Sequence, residues 1–319
     1  MTQVPPQVNS CAVVGLGLIG GSFALRMLQL GVAVHGWDPD AETRTQAAAA
    51  GIQIAETISA LPRTDLALLA GPTSTVVDQL RRGEVPQATV LIDACSAKGV
   101  IADAALGSGL THLVPCHPMA GTEHSGFAAA QADLLTDAVW AITPVPGNDL
   151  ESIHTALSTV VGAFESRAAL ISPQVHDEAV AAVSHVPHAT GQALVRGVLR
   201  SAHPDLTAAL AAGSFRDATR VLRGDVDKTV ELLTQNRGAV LEQLAALTED
   251  LNHLQSLLSD EQDDAVHDWF AHAPEVGAGE RSLPLDSGAD LAELLEAGAE
   301  GYLVTGLGAQ LTLVRPTSS

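Results

Sequence analysis

Two sets of residues in this chain are of types and spacings that could do chemistry. The first is the run "VVGLGLIGGS", which holds Gly15, Gly17 and Gly20 in a G-x-G-x-x-G arrangement with Leu18 and Ile19 between the last two. It stands directly after an apolar run and directly before a segment of helical spacing, the context in which that pattern binds a dinucleotide. Gly15 permits the tight turn, Gly17 lets the backbone approach a pyrophosphate, and Gly20 lets helix and strand pack closely. The phosphates would then face the positive end of the helix. Asp38, in "GWDPD", stands where a carboxylate can accept from both ribose hydroxyls of NAD and would repel the 2′-phosphate of NADP. NAD is therefore the expected cofactor over NADP, although Arg44 lies close enough in sequence to meet a 2′-phosphate.

The second set follows three later apolar runs. "LAGPTS" offers Pro72 and Thr73 to the nicotinamide side, "DACSAKG" presents Ser96 and Lys98, and "LVPCHPMAGTEHSGF" presents His117 and, past a glycine turn, Glu123. In an open parallel sheet ligands sit at the carboxyl ends of the strands, where these segments arrive. A histidine there suits hydride chemistry, because an alcohol must lose its proton as its hydride leaves and imidazole accepts protons near neutral pH. On position alone, a proton acceptor and a histidine satisfied by backbone carbonyls both remain open. Cys116 and His117 are adjacent in a strand and point to opposite faces, so they do not read as a nucleophile and its base. His185 and His188 share a helical face, but Pro187 interrupts it and no further ligand is suitably spaced, so no metal is expected.

These residues need elements to hold them. "CAVV", "VAVHGWD", "LALLAG" and "TVLIDAC" read as strands, alternating with helices at "IGGSFALRMLQLG", "AETRTQAAAAG" and "TSTVVDQLRRG". That alternation implies right-handed crossovers and a parallel sheet. "THLVPCHP" and "AVWAITPV" read as further strands of the same sheet. From Ser172 and Pro173, a helix cap and a first-turn proline, the periodicity is helical. Within residues 228–260, Val240, Leu244, Leu247, Leu251, Leu254 and Leu258 form a coiled-coil-like stripe, which suits packing within the subunit or against a second copy. The division expected is a Rossmann-like α/β domain over 1–168, a helical domain over 169–272 and a small C-terminal extension over 273–319. The extension contains a short helix and a candidate hairpin, "GYLVTGLGAQLTLV", with no role assigned.

Taken together, the glycine turn with "GGS", then "DACSAKG", "HPMAGTEHSG", "SHVPHA" and "SFRDATR" resemble, in order and spacing, the prephenate and arogenate dehydrogenase family of tyrosine biosynthesis. The resemblance spans roughly residues 11–260. It implies oxidative decarboxylation of prephenate to 4-hydroxyphenylpyruvate with NAD, or of arogenate to tyrosine. It also implies a 6-phosphogluconate-dehydrogenase-like helical domain for substrate binding and dimerisation. By the same resemblance His117 accepts the ring hydroxyl's proton, Ser96 orients it, and Arg220 grips a substrate carboxylate. His188, His185 and Thr122 are further substrate contacts, and Glu123 is a gate or specificity residue. Tyrosine feedback is left open. The chain departs from the pattern at Thr229, where a tryptophan is frequent, and at Cys95, where glycine is common. Two rival readings are a β-hydroxyacid dehydrogenase using Lys98 as acid or base, and a non-catalytic sensor of the NAD redox state.

Composition narrows the partners. A formal charge of −21 over 319 residues argues against nucleic acid, which is bound through clustered Lys and Arg. No apolar run is long enough for a transmembrane helix, and "MTQVPPQVNS" lacks the features of a secretory signal. With only Cys11, Cys95 and Cys116, the expectation is a cytoplasmic protein acting on a small molecule.

Overall fold

A computed structural model describes residues 8–122, 124–271 and 277–316. Its first sheet contains β1 (Ser10–Val14), β2 (Ala33–Trp37), β3 (Gln53–Ile54), β4 (Thr64–Leu69), β5 (Ala88–Asp93) and β6 (Leu113–Val114). The order is β3-β2-β1-β4-β5-β6, with every neighbouring pair parallel. Strands β1, β4 and β5 are buried along nearly their whole length, as continuous apolar runs are when helices cover both faces. Helices Leu18–Gln29, Ala41–Ala49, Thr73–Arg82 and Lys98–Ser108 make the crossovers. The strand order reverses beside β1, so the β1 and β4 carboxyl ends open a crevice for a ligand.

The expectation of one continuous sheet through "THLVPCHP" and "AVWAITPV" is corrected. Only Leu113–Val114 pairs with β5, and the chain leaves that sheet at Pro115, which has no N–H to give a ladder. The Pro115 carbonyl accepts instead from the backbone N–H of Thr143, at 2.8 Å. A second sheet then runs β10-β12-β11-β9-β8-β7, built from β7 (Cys116–Pro118), β8 (Val139–Ile142), β9 (Arg167–Leu170), β10 (Gly279–Leu283), β11 (Leu303–Leu307) and β12 (Leu311–Arg315). β7 pairs antiparallel with β8, and β8 parallel with β9.

The chain divides into two compact units, Met1–His176 with Glu280–Val314, and Asp177–Gly279 with Arg315–Ser319. The hairpin expected in the C-terminal stretch forms, as β11 and β12, and β11 joins β9 antiparallel. The short helix also forms, at Gly288–Ala299, with the Ser287 hydroxyl capping its first turn by accepting from Asp290 N–H. It packs so closely on β9 that a Cβ at Gly298 would lie 1.8 Å from the Leu170 carbonyl oxygen. The tail thus completes the second sheet of the first unit.

From Asp177 to Ala271 the second unit is helical, without a strand among the described residues. The striped segment is two helices, Val226–Gln235 and Arg237–Ser259, broken at Asn236. Val240 is buried with Leu244 and Leu247 packed near it, whereas Leu251 and Leu258 are exposed. The stripe therefore serves its own unit over one half and is uncovered over part of the other. No helix among the described residues is long and apolar enough to cross a membrane.

Gly298→Ala should lower the stability of the full chain by about 2 kcal/mol or more, as overpacking against backbone does. Gly288→Ala, with nothing within 4 Å of the added Cβ, is the control. Equal urea midpoints for the two variants would contradict the close docking of this helix.

Candidate active site

The glycine turn has the geometry that its spacing suggests. Gly15 sits at φ +91°, and its N–H donates to the Trp37 carbonyl at 2.8 Å, tying the end of β1 to the end of β2. A side chain at Gly20 would strike the Gly15 carbonyl oxygen, 1.9 Å from its Cβ position, so helix and turn can meet only with glycine there. At Gly17, by contrast, a Cβ would meet nothing within 4 Å. Gly17 caps the Leu18–Gln29 helix without a side-chain hydrogen bond, so this helix start offers backbone N–H groups to an anion. Leu18 is buried and Ile19 packs against the core, leaving backbone to face a ligand. A dinucleotide pyrophosphate fits this donor set.

Asp38 is 8% exposed, and its carboxylate accepts from Leu16 N–H at 2.7 Å and from Asp40 N–H at 2.9 Å. It therefore braces the glycine turn. Arg44 donates through Nη1 to the carbonyls of Asp38 and Pro39, at 2.7 and 3.0 Å. Its guanidinium secures the backbone beside Asp38.

The carboxyl end of β5 is organised around Asp93, a residue that the sequence did not mark. Asp93 and Lys98 are both fully buried and paired, and Lys98 Nζ also donates to the Cys116 carbonyl at 2.6 Å. The same carboxylate accepts from Cys116 N–H at 3.0 Å and from Cys95 N–H at 2.9 Å. One carboxylate thereby fixes the loop carrying Ser96 and the strand carrying His117. The expectation that Lys98 is presented to the ligand is corrected, since an ammonium at 0% exposure bonded to Asp93 and Cys116 is a clamp. The reading of Lys98 as acid or base loses its residue with it. Burial first, and then the Asp93 charge, push the Cys95 and Cys116 thiols above the ordinary range. Neither is an activated nucleophile.

His117 lies in β7, half-buried between the buried Cys116 and Pro118. Its Nδ1 is 3.0 Å from Nε2 of His176, and the two rings meet edge to face at 5.2 Å between centroids. His176 is 1% exposed and sits on the first turn of the helix Pro173–Val180. Sequence reasoning missed it; the available signal was a polar ring following a Ser-Pro helix start. Ser96 is half-buried in the loop after β5. Pro72 is exposed where the loop after β4 enters its helix, whereas Thr73 is 3% exposed. Thr122 lines an open cavity of about 450 Å³ with His124, Ser125 and Gln131. That cavity is anchored to the Leu18–Gln29 helix, because Gln131 N–H donates to the Ser22 hydroxyl at 3.0 Å. Glu123 lies outside the described residues. The first unit thus holds the glycine turn, Asp38, Ser96 and His117 around the carboxyl ends of its strands.

The second unit holds the others. Ala181–His185 is a turn of π-helix, which leads into the helix Val186–Leu199 with Pro187 in its first turn. Proline has no N–H to continue the ladder, and such a turn often marks a functional position. His185 is 1% exposed, with Nδ1 3.2 Å from the Asn236 amide nitrogen, which also donates to the Asp177 carbonyl at 2.7 Å. It joins the helix break at Asn236 to its own helix. His188 is partly buried and anchored through Nδ1 to the Ser184 carbonyl at 2.8 Å. Arg220 opens the 3₁₀ turn Arg220–Arg223 and is exposed. Gly191 lets the His188 helix approach this segment, since a Cβ there would lie 3.1 Å from the Ala218 carbonyl oxygen.

Lys98→Met should destabilise the protein by about 3–5 kcal/mol, because it strands a buried carboxylate. Adding Asp93→Asn should recover part of that loss, and a double-mutant cycle in urea reads the coupling. Additive effects of the two substitutions would show that the pair does not act as a unit.

Comparison with known proteins follows the same division. Residues 22–167 match the family model described as prephenate dehydrogenase, nucleotide-binding domain, and residues 172–272 match the one described as prephenate dehydrogenase, dimerization domain. The prephenate dehydrogenase of Bacillus subtilis is 26% identical over 288 residues, covering 87% of this chain and 76% of that protein. The crystal structure of Synechocystis arogenate dehydrogenase superposes with a TM-score of 0.72 at 27% identity, over 82% of this chain and 96% of that one. Prephenate dehydrogenase from A. aeolicus, in complex with hydroxyphenyl propionate and NAD+, gives a TM-score of 0.74 at 25% identity, over 82% and 94% of the two chains. With both of its domains matched in order, the chain belongs to the prephenate and arogenate dehydrogenase family of oxidoreductases.

Proposed function

We propose that this protein oxidises the ring alcohol of prephenate with NAD, yielding 4-hydroxyphenylpyruvate, carbon dioxide and NADH. The observation that carries the reading is the clamp at Asp93, which holds His117 and the Ser96 loop at the carboxyl end of β5, in the unit that carries the dinucleotide turn. NAD, when bound, supplies the hydride acceptor. Everything else falls to the chain. His117 accepts the proton of the ring hydroxyl, and the Ser96 hydroxyl orients that alcohol. Arg220 binds a substrate carboxylate as a bidentate pair, for which its planar fork is suited. His188 is a further contact on the second unit, Thr122 is one on the first, and Glu123 keeps the gate or specificity role that the resemblance implies. His185, 1% exposed and bonded to Asn236, is too buried to meet a substrate, which corrects that expectation. Once the alcohol is a ketone, loss of the ring carboxylate gains aromaticity, so neither a metal nor a covalent nucleophile is required of the protein.

The preference for NAD over NADP rests on Asp38, held in place by two backbone N–H groups, and on Arg44 being engaged by the carbonyls beside it. A second reading is oxidation of arogenate to tyrosine. It is supported by the similarity to the Synechocystis enzyme, and Thr229, where a tryptophan is frequent in the family, leaves the choice between a keto-acid and an amino-acid side chain open. The exposed Leu251 and Leu258, within the matched dimerization region, support a homodimer through the helical unit. We place the protein in the cytoplasm, with its three cysteines as free thiols.

The deciding experiment measures NAD and NADP reduction by purified protein with prephenate and with arogenate, each with and without tyrosine. NADH formation with prephenate is expected; no reduction with either substrate would refute the activity. His117→Asn should lower kcat by about 10²–10⁴ with KM nearly kept, as loss of a general base does. Arg220→Ala should chiefly raise KM for the substrate. A loss confined to kcat in Arg220→Ala would remove the carboxylate-binding role.

A further inference from the structure

We infer that His176 is a positioning residue for His117, setting the tautomer in which His117 can act as a base. The inference rests on the proposed role of His117 and gives it a mechanism. Nδ1 of His117 and Nε2 of His176 are 3.0 Å apart, so one proton lies between them. If His176 donated that proton, neutral His117 would carry its own on Nε2 and could accept none there. If His117 donates it from Nδ1, Nε2 keeps its lone pair and can take the proton of the substrate hydroxyl. The nitrogen that carries the proton in an imidazole is set by the bond its other nitrogen makes. A base at His117 therefore requires His176 to be the acceptor.

The setting of His176 suits that task. At 1% exposure it is too buried to meet a substrate, so it acts through His117. Its backbone is fixed on a capped first turn: its N–H donates to the Ser172 carbonyl at 3.0 Å, and Val175 N–H donates to the Ser172 hydroxyl at 3.2 Å. The edge-to-face meeting of the rings, 67° between planes, lets one ring present an N–H to a ring nitrogen of the other. When His117 takes the substrate proton on Nε2, its Nδ1–H remains and the bond to His176 becomes charge-assisted, which stabilises the imidazolium. A neutral imidazole thus occupies the place that a carboxylate takes in a Ser-His-Asp triad.

Two variants and one spectrum test the inference. His176→Gln places an amide oxygen where Nε2 stood and keeps an acceptor, whereas His176→Leu removes it. With whichever substrate the wild type oxidises, His176→Leu should lower kcat by about 10- to 100-fold, a fraction of what the base itself contributes, with KM within about threefold. His176→Gln should regain most of the loss. Long-range ¹H–¹⁵N spectra of the wild-type protein should show His117 protonated on Nδ1, assigned by its loss in His117→Asn. This readout needs neither turnover nor a folded His176 variant. Failure of the wild type to oxidise either substrate would refute the proposed activity while the spectrum still decides the tautomer. His117 protonated on Nε2 would overturn the inference. So would an unchanged kcat in His176→Leu, or a folded His176→Gln no more active than His176→Leu.

Discussion

The Asp93 carboxylate has no exposed surface, and four groups are gathered on it or through it: Lys98 Nζ, the N–H groups of Cys95 and Cys116, and, by way of Lys98, the Cys116 carbonyl. Burying two opposite charges is costly, and a pair of this kind is seldom the source of a fold's stability. What it supplies is position. The carboxylate accepts from two stretches of backbone far apart in sequence, and the ammonium grips one of them a second time, so the relation between the Ser96 loop and β7 cannot drift without stranding a charge. Low surrounding dielectric makes each of these bonds stronger and each loss more costly. The proton chemistry proposed for His117 needs that constraint, because a base must stay within hydrogen-bond reach of the proton it takes.

This constraint also explains the change of sheets after β6. Leu113–Val114 completes the parallel sheet, Pro115 ends the pairing, and Cys116 is taken up by Asp93 before β7 enters the second sheet against β8. His117 consequently belongs to the second sheet while being anchored to the end of the first. The C-terminal segment, last in the chain, finishes that second sheet through β10, β11 and β12. The helical unit is therefore flanked in sequence on both sides by elements of the first. The glycine turn, Ser96 and His117 lie in the first unit, and Arg220 lies in the second.

Much of this was legible in the sequence, for reasons that are local. Turn chemistry and helix packing at Gly15 and Gly20 are decided within a few residues, so a short pattern sufficed to find them. Continuous apolar runs marked β1, β4 and β5 because strands buried on both faces have no polar side to show. The helical change after Ser172 was written in its cap and proline. The C-terminal hairpin was visible as a local pattern, but its place in a sheet was not, since β11 pairs with a strand more than a hundred residues earlier.

What only the tertiary structure decided are the pairings between distant groups. Lys98 looks like a residue offered to a ligand until Asp93 and the Cys116 backbone are seen to enclose it. His176 has no meaning in sequence, because its partner His117 lies on another element. His185 and His188 look equivalent by spacing, yet the π turn and the Asn236 amide bury the first and leave the second partly open. Sequence by itself determined the types of chemistry present, since those depend on residue identity and short-range geometry. Which groups hold the reacting ones in place depended on long-range contacts that only folding brings within hydrogen-bond distance.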